Sequence, residues 1–404
     1  MPVYLDHAAT TPMRSEAIAA YAEAMGVVGN PSSIHSQGQQ AKRMLEEARE
    51  TVAATLGADP IEVVFTSGGT EAINLAVKGL FWARNSIDGG RPSPRILAPG
   101  GEHHATMDTL EWLQSAEGAE IEWLPLDEAG RIRVDAAREA LERDPESVAL
   151  LTFLWVNNEV GTIEPVAELA ALAAEYGIPV HVDAVAAYGH LPIDFTALKR
   201  GGVSALSVSA HKIGGPVGIG ALVLSRSATV VPLVHGGGQQ RQVRSGTQDV
   251  AAAVAFAVAA RAAERELVEE GARLAALRDR LIAGVLTNVP DARLSGLPAG
   301  DPFRVASNAH FTFPGAQGDS LLFLLDLAGI SVSTGSACQA GIPEPSHVLL
   351  AMGRAEPDAR SALRVTLGRT TTEADIDALV AALPAAYAQA SRAGLAERAT
   401  RLGG

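Results

Sequence analysis

The sequence has little cysteine, few aromatic residues and no long apolar run, and each scarcity argues against a type of bond, partner or location. A single cysteine among 404 residues excludes an internal disulfide. Aromatic residues make up only 4% of the chain and the net charge is −14, which argues against a nucleic-acid partner or an anionic membrane. The longest small-apolar stretch, residues 250–260, is too short to cross a bilayer, and the N-terminus lacks the pattern of a secretory signal. We therefore expect a cytoplasmic protein.

Apolar residues are plentiful, at 47%, and they follow a regular order. From about residue 60, short β-branched runs alternate with longer amphipathic segments, which is typical of an α/β fold with a mainly parallel sheet and helices on both faces. Only residues 212–218 separate the strand predicted at 205–210 from the next one, 219–224, and a parallel crossover needs about a dozen residues. That pair is predicted to be antiparallel, so the sheet is mixed. The other predicted strands are 61–66, 95–98, 121–126, 149–156 and 179–185.

The C-terminal part of the chain has a different pattern. A helical region rich in Ala, Glu and Arg covers residues 249–286, and three further strands are predicted at 308–313, 330–333 and 363–367. This order predicts a second, smaller α+β domain. We predict a large domain of residues 15–255, and a small domain of residues 1–14 and 256–404.

Only four lysines are present, and Lys212 differs from the other three. Lys42, Lys78 and Lys199 lie in helical or helix-end segments, where solvated surface roles are expected. Lys212 follows a predicted strand and precedes a glycine-rich turn. A lysine at a strand end, where backbone can approach a ligand, suits covalent chemistry with a carbonyl group, although a structural role is the alternative.

Two motifs at other strand ends indicate a ligand site. The turn Ser67-Gly68-Gly69-Thr70 joins a predicted strand to a helix, where free backbone N–H groups and a hydroxyl suit a phosphate. Asp183 lies near the end of the 179–185 strand, at the sheet edge where ligands usually bind. Its carboxylate suits a pyridinium nitrogen, with a helix cap or a metal ligand as the alternatives.

One histidine, the cysteine and one arginine complete the set of candidates. His103 has His104 as its neighbour, and adjacent histidines point in different directions, so ring stacking or acid–base chemistry suits them better than metal binding. Cys338 lies in a polar Gly/Ser/Ala segment typical of an exposed loop, which suits a thiolate nucleophile, although a lone cysteine is also commonly a small buried hydrophobe. Arg364 alternates with apolar residues, and it suits either a substrate carboxylate or a structural ion pair.

Together these motifs resemble those of the cysteine desulfurases of iron–sulfur cluster assembly, which are fold type I pyridoxal-phosphate enzymes of the class V aminotransferase family. The resemblance extends from Tyr4 to Arg369. Its most specific parts are residues 209–212, residues 235–239 with 244–247, and the segment around Cys338.

The resemblance implies a cofactor, a substrate and partners. Pyridoxal 5′-phosphate is bound covalently to Lys212, and L-cysteine is converted to L-alanine while Cys338 takes up the sulfur as a persulfide. The sulfur then passes to an acceptor protein, either a cluster scaffold or a sulfur carrier. Catalysis is implied for Cys338, Lys212 and His103, and substrate binding for Asn158 and Arg364. The residues implied to hold the cofactor are Gly69, Thr70, His103, Asn158, Asp183, Ser209, His211 and Lys212, joined by Thr247 from the other subunit of a homodimer.

One position departs from the family pattern. The family has Asp-Ala-x-Gln where this chain has Asp183-Ala184-Val185-Ala186, and that glutamine donates a hydrogen bond to the phenolate oxygen of the cofactor. Loss of a donor destabilises a phenolate, so we expect the linkage between Lys212 and the cofactor to have a raised pKa.

Three other functions stay open. A selenocysteine lyase, or another fold type I lyase, would carry the same cofactor motifs. A scaffold that has kept the fold without the activity fits the absence of the glutamine. A metallohydrolase would use His103, His181 and Asp183, but no helical His-x₃-His pair supports it, and we predict no metal site.

Overall fold

The computed structural model describes residues 2–86, 91–335 and 344–401, with side chains as far as residue 392. Its strands are β1 (Val3–Tyr4), β2 (Val63–Thr66), β3 (Arg95–Pro99), β4 (Glu120–Leu124), β5 (Val148–Leu154), β6 (Val180–Asp183), β7 (Val203–Ser209), β8 (Gly220–Leu224), β9 (Arg293–Leu294), β10 (Asn308–Thr312), β11 (Ile330–Ser331) and β12 (Ala362–Thr366). Its α-helices are α1 (Ser15–Met25), α2 (Ser36–Thr55), α3 (Gly69–Asn85), α4 (His104–Glu117), α5 (Val134–Arg143), α6 (Val166–Glu175), α7 (Phe195–Arg200), α8 (Val250–Asn288), α9 (Gly318–Leu327), α10 (His347–Ala351), α11 (Glu356–Ala359) and α12 (Glu373–Arg401).

Seven strands form the main sheet, in the order β2-β8-β7-β6-β5-β3-β4. The pairs from β7 to β4 are all parallel, whereas β8 is antiparallel to both β7 and β2. The predicted mixed sheet and its antiparallel pair are therefore confirmed. Because the parallel strands share one direction, the residues that follow them meet at the same edge of the sheet.

Helices cover both faces of this sheet. All seven residues of β5 are buried, as expected for a central strand between two helical layers. Leu151 and Phe153 belong to a core with residues of α2, α6 and the first half of α8, whereas Leu150 belongs to a separate core with residues of α3 and α4. The predicted α/β architecture is confirmed.

A smaller antiparallel sheet, β12-β10-β9, lies outside the main sheet. Its apolar side chains, Phe311 and Leu363 among them, pack with α9, α12 and the second half of α8. Helix α8 spans 39 residues and contributes to both the large core and this one. The predicted domain boundary at residue 255 falls within this helix and stays a prediction.

The ends of the predicted strands lie within two residues of the observed ones, and the start of β2 and the end of β11 are among the larger differences. Residues 61 and 62 form a single 3₁₀ turn, Pro60–Glu62, ahead of β2 rather than part of the strand. Proline sets the φ of the first position, and the Glu62 carboxylate accepts a hydrogen bond from the Asp59 amide at 3.1 Å, which stabilises the turn. The strand predicted at 330–333 ends at Ser331, with Ser333 in an isolated bridge to Arg364. Among the described helices, none is long and apolar enough to cross a membrane.

Candidate active site

A cavity of about 440 Å³ opens at the carboxyl edge of the main sheet. It lies between the ends of β5, β6 and β7 and the small sheet, so residues far apart in the sequence share one wall. Nine of the residues predicted for the site line it: Gly69, Thr70, His103, Asn158, Asp183, Ser209, His211, Lys212 and Arg364. The structure brings these side chains together, and their individual roles stay predictions.

Two of the predicted residues are not part of this wall. Thr247 is exposed and does not line the cavity of its own chain. Cys338 lies outside the described residues. Gly335, the last described residue before its segment, and His347, which begins the helix after it, both border the cavity.

Lys212 lies in a 3₁₀ turn, Ala210–Lys212, that directly follows β7. Its Nζ donates hydrogen bonds to the carbonyl oxygens of Ala8 and Ala9, the latter at 2.9 Å. Burial lowers the pKa of Lys212 to about 8, helped by the nearby positive charge of Arg364. Burial disfavours the charged ammonium, so a larger share of this lysine is a neutral, nucleophilic amine near physiological pH.

The predicted phosphate site has free donors and a tight backbone. Gly68 precedes α3 without a side-chain cap, so the first amides of the helix are available to an anion. A Cβ at Gly69 would lie 2.7 Å from Val185 Cγ2, which explains the glycine there. Ser209 Oγ is buried and has no hydrogen-bond partner among the described residues. A buried hydroxyl without a partner is costly, and a ligand phosphate would satisfy it.

Asp183 ends β6 and is almost completely buried. Burial raises its pKa to about 6, against the hydrogen bond from the Val185 amide at 2.9 Å and the charge of Lys212. A carboxylate in this setting is stabilised by a cationic partner such as a protonated ring nitrogen. The described side chains therefore fit a ligand with a phosphate at one end and a basic ring nitrogen at the other.

Two histidines near Asp183, His103 and His181, do not form a metal site with the other described residues. His103 caps α4, and its Nδ1 accepts a hydrogen bond from the Ala105 amide at 3.0 Å. Burial, with the charge of Lys212, lowers the pKa of His103 below its usual value. Both ring nitrogens of His181 are occupied, by Thr152 Oγ1 at 2.8 Å and Ser207 Oγ at 2.9 Å. Among the described residues no group of three His, Cys, Asp or Glu side chains could hold a metal ion, and the occupied His181 argues against the metallohydrolase.

Arg364 enters the cavity from β12 with a side chain that is only 7% exposed. Its Nη2 donates to Asp6 Oδ1 at 3.0 Å and its Nη1 to the carbonyl oxygen of Asn158 at 2.9 Å. Asn158 Oδ1 is buried and without a partner within the described part of the chain. A guanidinium at this position can bind a carboxylate with two parallel N–H groups once Asp6 is displaced.

Several site residues were missed by the sequence analysis. Asp6 is the present partner of Arg364, but no motif identifies it, since 358 positions separate the two. Glu159 is fully buried next to Asn158, and its carboxylate accepts a hydrogen bond from Ser346 Oγ at 2.5 Å. His347 lines the cavity and its Nε2 bonds with the carbonyl oxygen of Glu102 at 2.7 Å. The only sequence signal for any of these residues was the position of Glu159 directly after the predicted Asn158.

Comparison with known proteins agrees with this geometry. The family model described as aminotransferase class-V matches residues 3–379. The IscS-like cysteine desulfurase of Mycobacterium tuberculosis is 54% identical over 393 residues, 97% of this chain and 98% of that protein. The chain belongs to the class-V aminotransferase family, among its cysteine desulfurases.

Solved structures agree as well. A NifS-like protein has a TM-score of 0.85 and 32% identity, covering 95% of this chain and 99% of that one. A structure of SspA in complex with cysteine has a TM-score of 0.75 and 31% identity, covering 90% and 98%. The predicted fold type I architecture and the predicted enzyme class, a cysteine desulfurase, are confirmed.

Proposed function

We propose that this chain removes sulfur from L-cysteine, releases L-alanine and passes the sulfur through a persulfide on Cys338 to an acceptor protein. The observation that carries the proposal is Lys212, which faces the cavity with a lowered pKa while Asp183 lies nearby. The relatives named cysteine desulfurase, and the relative solved in complex with cysteine, support this substrate. Iron–sulfur cluster assembly or another thio-cofactor pathway is the proposed destination of the sulfur, and the cytoplasm is the proposed location.

Pyridoxal 5′-phosphate fits the side chains of the cavity. Lys212 would hold it covalently, Asp183 would pair with its ring nitrogen, and His103 would stack on its ring. Its phosphate would bind the amides at the start of α3 together with Thr70, Ser209 and His211, and the unpartnered Ser209 Oγ supports this placement. When bound, the cofactor supplies an electron sink that stabilises negative charge at the α-carbon of the substrate.

The side chains of this protein then bind the substrate and move its protons. Arg364 binds the substrate carboxylate with its two Nη groups. In the structure these groups donate hydrogen bonds to Asp6 and to the carbonyl oxygen of Asn158. The amine of Lys212, with a pKa of about 8, is suited to remove the α-proton and to return it. Asp183 would stay charged with the cofactor bound, because a carboxylate and a protonated ring nitrogen stabilise each other.

Sulfur transfer requires the thiolate of Cys338. It attacks the substrate sulfur, so that a sulfur–sulfur bond forms as the carbon–sulfur bond breaks. The electron pair of the broken bond stays on the carbon side, which takes up protons and leaves as alanine. Gly335 and His347, on either side of the segment that carries Cys338, border the cavity and support this role.

A homodimer is part of the proposal. Thr247 is exposed and does not line the cavity of its own chain, as expected for a residue that contributes to the site of a partner subunit. Arg244, three residues earlier, forms an ion pair with Glu71 of α3 at 2.8 Å, which fixes the segment next to the phosphate turn.

The test is alanine release by purified enzyme supplied with L-cysteine and a thiol reductant. The wild type should release alanine and sulfide in equal amounts, and Lys212→Ala should release neither. Absence of alanine from the wild type would contradict the proposal and support an inactive scaffold. Cys338→Ser distinguishes the proposed cysteine desulfurase from a selenocysteine lyase. Desulfuration of cysteine by this variant should be lost, whereas a selenocysteine lyase would keep its activity on selenocysteine.

A further inference from the structure

His310 is a fully buried histidine that the proposed chemistry does not use. It lies in the middle of β10, the central strand of the small sheet. Its neighbours Ala309 and Phe311 point into the apolar core of the small domain. Because side chains alternate along a strand, His310 points to the opposite face, which also carries Asn308 of the cavity wall.

Arg364 is the cross-strand neighbour of His310. The antiparallel register places the two residues directly opposite each other. The backbone N–H and C=O of Arg364 bond to Ser333, at 2.6 and 3.1 Å, on the other side of β12. His310 and Arg364 therefore form a pair without mutual backbone hydrogen bonds, the type in which Cα atoms are about 4.5 Å apart and side chains approach most closely.

The polar atoms of this pair are complementary and unsatisfied. Arg364 Nε is a buried donor, and His310 Nδ1 and Nε2 are both buried; none of the three has a partner in the described residues. Burial, with the charge of Arg364, lowers the pKa of His310 to about 3, so its ring is neutral and has one accepting nitrogen. Asn308 Oδ1, two residues away on the same face, is a further buried polar atom without a partner among the described residues.

We propose that His310 is the positioning residue of Arg364 in the substrate-bound enzyme, where its ring nitrogen accepts a hydrogen bond from Arg364 Nε. The proposal rests on the function above, in which Arg364 binds the substrate carboxylate. With Nε held by His310, the two Nη groups turn from Asp6 and Asn158 and present an end-on fork to the carboxylate. His310 acts only through Arg364, so ligands that lack a carboxylate should not depend on it.

A pair of ligands tests this dependence. L-alanine carries the carboxylate, and ethylamine is the same molecule without it. Dissociation constants are measured for both from the change in the visible absorbance of the cofactor-loaded enzyme. His310→Leu removes the acceptor and should raise the dissociation constant of L-alanine roughly tenfold, the value of one charge-assisted hydrogen bond, without changing that of ethylamine. His310→Asn keeps an acceptor and should restore most of the affinity.

Two further variants separate the possible failures. Phe311→Leu, on the same strand but in the core, should leave both dissociation constants unchanged. Arg364→Lys should weaken L-alanine binding, and adding His310→Leu to it should have no further effect. If Arg364→Lys weakens L-alanine and His310→Leu does not, only the role of His310 is wrong. If Arg364→Lys has no effect on L-alanine, both that role and the proposed role of Arg364 are wrong.

If His310→Leu fails to fold, a crystal structure of the cofactor-loaded wild-type enzyme with L-alanine tests whether His310 accepts a hydrogen bond from Arg364. A ring nitrogen of His310 within about 3 Å of Arg364 Nε would support the proposal. A gap too wide for a hydrogen bond would overturn it.

Discussion

The lowered pKa of Lys212 predicts unusual reactivity of one lysine in the cofactor-free protein. Burial and Arg364 bring the pKa from 10.5 to about 8. At pH 7 the neutral amine is then about a tenth of the population, roughly 300 times more than for a lysine with the ordinary value. Because burial disfavours the charged form, this neutral fraction rises with pH and levels off above pH 8 rather than above pH 10.

Competitive labelling with acetic anhydride, followed by mass spectrometry of the labelled peptides, measures how the reactivity of the Lys212 amine changes with pH. A short unstructured peptide with one lysine, added to the same reaction, serves as the reference for an ordinary lysine. The labelling rate of Lys212 relative to that peptide should be highest near neutral pH and fall as pH rises. Arg364→Gln removes a like charge, so it should shift the plateau of Lys212 to higher pH. A Lys212 rate that follows the reference peptide from pH 7 to 10 would refute the reasoning.

Three other substitutions have expected outcomes. Ser209→Ala removes a buried hydroxyl that lacks a partner in the described structure, so thermal denaturation should show a cofactor-free protein more stable by about 1 kcal/mol, while equilibrium dialysis should show roughly tenfold weaker cofactor binding. Equal stability and affinity would argue against a phosphate at Ser209. Asp183→Asn removes the buried carboxylate that is proposed to pair with the ring nitrogen of the cofactor, and it should lower alanine formation about a hundredfold or more, measured at saturating cysteine. Ala186→Gln restores the family's donor on the cavity wall, so a pH titration of the visible band should show a lower pKa than in the wild type; an unchanged pKa would contradict this.

The fold was predictable because its signals are local. Buried strands such as β5 are short apolar runs bounded by helix-length segments, and the short connection before β8 determined its direction. The start of β2 was misjudged because Pro60 begins a turn that the apolar pattern of residues 61–66 conceals.

The grouping of candidate residues around one cavity was predictable where a residue lies in a motif at a strand end. Lys212, Asp183 and Ser209 all follow this rule, since parallel strands bring their ends to one edge of the sheet. Asp6 and His310 were not predictable, because their relevance comes from contact with Arg364 across long stretches of chain. Register between β10 and β12 places His310 opposite Arg364, and one sequence alone does not specify that register.

The most direct test of the central claim is the mass of the peptide that contains Cys338 after one turnover without reductant. The account predicts one added sulfur atom on Cys338 for each alanine released. Cys338→Ser should form no persulfide and release no sulfur from cysteine, and Lys212→Ala should form neither persulfide nor alanine. Wild-type enzyme that releases alanine while Cys338 keeps its unmodified mass, with Cys338→Ser equally active on cysteine, would contradict the account.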